Sequence, residues 1–153
     1  YVTYPIKDSA SIDSELNTGD LIRFDSNAKS EIIKITHVYR AADNSFAYSG
    51  TSSNAGGWDV GFRVSQGYIY HTYEDAIVFA PAESIADVTD DSKRERFNMK
   101  GVKIYVYDKN DTRTPVYVGS KADLRSYLKD KEKAPKVYIR SKFSNVETIL
   151  VVK

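Results

Sequence analysis

Residues 115–130 read PVYVGSKADLRSYLKD. This stretch decides the fold class of the C-terminal half. Pro115 stands where a strand begins, at a position whose missing N–H the ladder can spare. Val-Tyr-Val follows, and Gly119 ends the strand. Ser120 is a helix cap, and Asp123, three residues on, completes a capping box. Leu124, Tyr127 and Leu128 then recur at i, i+3 and i+4, the spacing of one helix face. The pattern predicts a helix from Ser120 to Lys131 or Lys133, stopped before Pro135.

Strands flank this helix. Val102–Tyr107 alternates, and DKNDTRT (108–114) is a turn rich in Asp and Asn. Lys136–Ser141 and Glu147–Lys153 are further strands. The order over 102–153 is ββαββ. A helix covers one face of its sheet, and Ile104, Val106, Val116, Val118, Val137 and Ile139 alternate to be that face. The opposite face then carries Lys103, Tyr105, Tyr107, Tyr117, Tyr138 and Arg140, with Lys136 and Lys142 near its edge. Rings interleaved with cations suit nucleic acid, rings against bases or sugars and cations against phosphates. The same face could instead dock on the rest of the chain, burying the tyrosine bodies with their hydroxyls wet. Lys121, Arg125 and Lys129 form a second row at i, i+4 and i+8. It is either a solubilising helix face or a row of cations near the phosphate pitch of a duplex.

The first half reads as short strands between turns. TGDLIRF (18–24) offers a Gly-Asp turn and then alternation. SEIIKITHVYR (30–40) is β-branched and continuous, a strand buried on much of both faces. DNSFAYSG (43–50) is a turn and a short strand. TSSNAGGWDVG (51–61) is a Gly-rich loop carrying Trp58, a ligand-facing aromatic or a plug. FRVSQGYIYHTY (62–73) contains a Gln66-Gly67 hairpin, and EDAIVFAPAE (74–83) closes the region. Composition then changes. ESIADVTDDSKRERFNMKG (83–101) runs from acidic to basic, with Asp91 or Ser92 able to cap a short helix through Met99. The expected organisation is α+β but mostly β: an acidic small β-barrel over 15–85, a linker or short helix over 86–101, and a basic ββαββ module over 102–153.

The 153 residues carry a net charge of +1, which hides a division. Up to Ile85 there are six Lys/Arg against eleven Asp/Glu, and from Ser92 onward sixteen against seven. A basic half joined to an acidic one suggests a polyanion partner, or two solvated surfaces of opposite bias. The chain has no cysteine, hence neither disulfide nor thiolate chemistry. No apolar run reaches the length of a membrane span, and no secretory signal pattern is present. The expectation is a cytoplasmic protein with no membrane partner.

His37 and His71 sit in strand patterns without metal-ligand spacing, as core or barrel-surface residues. Glu74 and Asp75 are adjacent in a strand and point apart, which makes them poor partners for acid–base work. Walker, G-x-S-x-G and dinucleotide fingerprints are missing from the sequence. The expectation is therefore no enzyme, no cofactor and no metal.

GDLIRF (19–24) followed by EIIKITHVYR (31–40) resembles the first two strands of a Tudor-like or KOW-like small barrel, over residues 18 to 80. YVGSKADLRSYL (117–128) resembles the second motif of GIY-YIG endonucleases, with KIY (103–105) standing for the first. That pattern departs where chemistry matters. The family's catalytic arginine falls near Tyr127, the first motif lacks its glycine, and the segment carrying the metal-binding glutamate is missing. The stretch reads as a capped ββα unit. In Lys/Tyr/Asn-rich texture and two-module size the chain is similar to the MotB-type proteins of T-even phages. That similarity implies DNA coating or compaction and altered host transcription, in the host cytoplasm or nucleoid.

The expected function is non-enzymatic, largely sequence-independent binding of nucleic acid, double-stranded DNA first. The site residues expected for it are Arg94, Arg96, Lys100, Lys103, Tyr105, Tyr107, Arg113, Lys121, Arg125, Lys129, Lys136, Tyr138, Arg140 and Lys142. The alternative is an inhibitor or adaptor that engages a host protein through the acidic barrel.

Overall fold

The computed structural model describes residues 2–46, 62–89 and 93–153. The chain divides into two compact units, Tyr1–Tyr48 and Ser49–Lys153. The loop with Trp58 lies outside the described residues, as do the end of DNSFAYSG and the cap positions Asp91 and Ser92.

The N-terminal unit is a four-stranded sheet of β1 (Ile6–Ile12), β2 (Leu21–Ser26), β3 (Ile32–Arg40) and β4 (Ser45–Phe46). The β-branched run of β3 takes the central place. It pairs antiparallel with β2 and β4 and parallel with β1. Ile32, Ile35, Val38 and Tyr39 of β3 are buried. Gly19 turns into β2 at φ +94°, a conformation that favours glycine. Among the described residues no pairing closes this sheet into a barrel.

A buried polar network fastens the β1–β2 connection to β3. His37, 2% exposed, has Nδ1 2.6 Å from Asp13 Oδ1 and Nε2 3.0 Å from Asp20 Oδ2. Its backbone N–H donates to Asp13 Oδ2 at 2.9 Å. Asp20 in turn accepts the N–H groups of Asn17 and Ala41, each at 2.7 Å.

The C-terminal unit holds seven strands: β5 (Phe62–Thr72), β6 (Ala76–Pro81), β7 (Glu95–Asn98), β8 (Lys103–Tyr107), β9 (Val116–Val118), β10 (Lys136–Lys142) and β11 (Asn145–Val152). Hydrogen bonding runs in a circuit. β5 pairs β6, β6 pairs β7, β7 meets β11, β11 pairs β10, and β10 returns to β5. β8 and β9 extend from β11. Ile69, Phe79, Phe97, Val106, Ile139 and Ile149 build the main core. A second cluster, of Tyr68, Tyr70, Ala80, Val88, Tyr127 and Ala134, covers the other face of β5 and β6. Core on both faces explains the unbroken burial from Gly67 to Tyr70. The strands 62–72 and 76–81, expected to belong with the first module, thus pair with the C-terminal strands instead.

The helix expected after Ser120 does not form. The cap is there: Ser120 Oγ accepts the Ala122 N–H at 3.3 Å, and Asp123 accepts the Ser120 N–H at 2.8 Å. It caps one 3-10 turn, Lys121–Asp123. Beyond it, the Lys129 and Asp130 N–H groups close a single turn on the Ser126 carbonyl, but the residues between donate to β5. Tyr127 N–H reaches the Ile69 carbonyl at 2.8 Å, and Leu128 N–H and the Ser126 hydroxyl reach Tyr70 at 3.2 and 2.8 Å. The β10 pairing stops at Gly67, so these β5 carbonyls take a new partner, and tertiary hydrogen bonds override propensity. Leu124 and Tyr127 go to different clusters, and Leu128 is exposed. The unit is therefore mostly β, without an α-helix among the described residues, and the ββαββ reading is corrected.

Three further readings are corrected. β5 passes straight through Gln66-Gly67 without a hairpin. Residues 95–98 form β7 in place of a short helix. On β9 the faces are exchanged: Tyr117 lies opposite Val106 and packs on the core, while Val118 is turned to solvent.

Candidate nucleic-acid interface

A phosphate-binding surface needs cations that are exposed, fixed in place and not already neutralised. The basic residues expected from sequence separate on this criterion. Several are engaged within the fold. Arg140 donates to Glu147 at 3.0 Å and lies 4.1 Å over the Phe62 ring, which Lys142 also faces at 5.1 Å. Lys136 donates to the Glu83 carbonyl at 2.6 Å, and burial pulls its ammonium below the ordinary lysine range. Arg94 sits 4.4 Å over Tyr70, which stacks on Tyr127 at 5.8 Å, with Lys131 against the Tyr127 ring at 5.5 Å. This cation–ring–ring–cation sequence holds the 127–131 segment on β5. Arg96 lies 4.8 Å over Tyr73.

The tyrosine platform is not assembled as the alternation suggested. Tyr138 is 1% exposed and Tyr117 faces the core, so neither offers a ring to a ligand. Tyr105, Lys103 and Arg113 are exposed and Tyr107 is half-buried.

Four of the expected cations come together. Lys100 and Lys121 line a cleft of about 640 Å³ with Asp75, Asn98, Met99 and Asn145. Lys121, Arg125 and Lys129 line an adjoining cleft of about 330 Å³ with Thr72, Leu124, Ser126 and Asp130. Lys121 belongs to both. Among the described residues Lys100, Arg125 and Lys129 have no carboxylate partner.

The walls are built locally. The capped 3-10 turn sets Lys121, whose Nζ donates to the Glu74 carbonyl. Lys153 ties the turn down from β11's end, bonding Asp123 and the Tyr117 hydroxyl at 3.1 Å each. The Ser120 N–H, and the Lys153 ammonium after it, hold the Asp123 carboxyl below the usual carboxylate range. Hydrogen bonding to the Tyr117 hydroxyl and to Asp123 pushes Lys153 up. On the opposite wall the Asn145 side chain accepts the Lys100 N–H at 3.1 Å and donates to the Lys100 carbonyl at 3.2 Å, which fixes the turn at Gly101. The pair of clefts thus presents four cations against two carboxylates, on turns that are pinned.

The sequence reading missed Thr72, Asp75, Asn98 and Asn145. They come from the ends of β5, β6, β7 and β11, and no local pattern joins them. Among the described residues no three His, Asp or Glu side chains gather as a metal site, and no helix is long and apolar enough to cross a membrane. No family model matches the chain, and no curated protein or solved structure is significantly similar to it.

Proposed function

We propose that the protein binds nucleic acid, DNA in the first place, through phosphate contacts and without reading sequence. The observation that supports this is the meeting of Lys100, Lys121, Arg125 and Lys129 along two adjoining clefts, none of the four with a carboxylate partner among the described residues. Such a surface suits a repeating anion. Coating DNA, with an effect on host transcription, is the role that the phage resemblance adds. The test is the salt dependence of affinity, read by fluorescence anisotropy on a labelled duplex. Each phosphate contact contributes a slope of about −0.9 in log K against log salt. The variant Arg125→Glu/Lys129→Glu is expected to lose about two contacts' worth of slope and to weaken equally on unrelated sequences. Binding that ignores salt or follows sequence would point to base reading instead.

A second reading, a protein-interaction module, draws support from the N-terminal unit. Tyr4 and Phe24 pair at 5.4 Å on its surface, and Ile6, Ile12 and Ile33 are also exposed.

A further inference from the structure

The exposed ring nearest these clefts in the chain is Tyr73, 47% accessible in the β5–β6 turn. It follows Thr72, which lines the smaller cleft, and precedes Asp75, which lines the larger. Its ring is held in place. Arg96 Cζ lies 4.8 Å from the ring centroid, and the His71 ring meets it at 4.6 Å and 90°. Arg96 connects this ring to the larger cleft. Along β7, Arg96 and Asn98 are exposed while Phe97 and Met99 are buried, so Arg96 and Asn98 share one face. Two residues of strand separate them by about 6.8 Å, and Asn98 is itself a cleft residue. The Tyr73–Arg96 pair is therefore next, along one face of β7, to a residue that lines the cleft holding Lys100 and Lys121. The Asn98 amide offers both a donor and an acceptor.

We propose that Tyr73, backed by Arg96, is a stacking site for an unpaired base, so that this interface favours single-stranded over duplex nucleic acid. The inference rests on the phosphate reading of the clefts. In a duplex the bases stack on one another and are closed to such a ring, whereas an unpaired base stacks on tyrosine or on a guanidinium plane. The backbone of a single strand can then follow Lys100, Lys121, Arg125 and Lys129 while one base leaves it for Tyr73.

The test uses the full chain and three labelled polymers of equal length at low salt: oligo-dT, the corresponding duplex, and an abasic single strand. The unaltered protein is expected to bind oligo-dT most tightly. Tyr73→Ala is expected to weaken oligo-dT by about tenfold or more, the range of one lost base stack. Its affinity for the duplex and the abasic strand stays within about twofold, and Tyr73→Phe, which keeps the ring, stays near the parent on all three. An equal loss on all three polymers, or no loss on oligo-dT, overturns the stacking site and leaves the phosphate reading standing. Failure of the unaltered protein to bind any of the three overturns both. A melting curve of Tyr73→Ala that matches the parent excludes unfolding as the cause of a loss.

Discussion

Both ring nitrogens of His37 face carboxylates, Asp13 at 2.6 Å and Asp20 at 3.0 Å, and a neutral imidazole has one N–H to give. The arrangement is that of an imidazolium. Burial alone pulls the ring's pKa down, but the hydrogen bonds and charges of Asp13 and Asp20 outweigh it and leave the pKa above 6.5. Burial likewise opposes ionisation of Asp13, and the His37 amide and ring outweigh it, leaving that carboxyl below 3.8. The histidine contribution is complete below its unfolded value and is lost as pH rises through the raised folded value. The Asp13 contribution is present above its unfolded value and is lost as pH falls through the lowered folded one. The melting temperature of the N-terminal unit is thus expected to plateau from the upper carboxylate range to about pH 6.5 and to fall on either side. His37→Gln leaves the Asp20 carboxylate, 4% exposed, without its cation. It is expected to cost roughly 3–5 kcal/mol and to remove the alkaline fall, as pH-dependent thermal melts would show. The sequence placed His37 in a strand and went no further. Its partners lie 24 and 17 residues away, beyond the reach of any local pattern.

At the scale of elements, local signals were legible and partner choice was not. The Ser120–Asp123 cap and the alternation of Ile104 and Val106 appear as read, and the strands read at 102–107 and 136–141 are found at 103–107 and 136–142. The helix and the Gln66-Gly67 hairpin fail because each depends on what β5 meets. Gly67 shows this plainly. A Cβ there would stand 2.2 Å from the Ala80 carbonyl oxygen and 2.7 Å from the Phe79 ring. The glycine thus serves the close approach of β6 and not a turn, two roles that look alike in sequence. Gly67→Ala is expected to destabilise the C-terminal unit by roughly 3 kcal/mol, because the backbone oxygen it strikes cannot turn aside. A urea titration measures the loss, and a midpoint equal to the parent's would contradict the close approach.

Over the whole molecule, the charge division of the chain does not survive folding. Residues 1–48 hold five Lys/Arg against seven Asp/Glu, and 49–153 hold seventeen against fourteen. Residues 62–81, grouped by charge with the acidic half, are folded into the same sheet as the basic strands, so the polyanion argument rests on where the cations gather rather than on their sum. A chain cut at Ala86 would keep β5 and β6 and lose β7, β10 and β11. Amide protons of residues 62–81 in that fragment are expected to exchange as in an unfolded chain, and retained protection would show that this hairpin stands alone. The pairing circuit also sets a schedule. β11 pairs with β10, β8 and β7, all of which precede it in sequence. Vectorial synthesis on the ribosome therefore delivers the strand that joins them last. Until it emerges, Ile104 and Val106 wait with an unclaimed edge beside them, open to neighbouring nascent chains. Pairing that must wait for a late strand prolongs the time for which a partly folded chain shows unpaired edges.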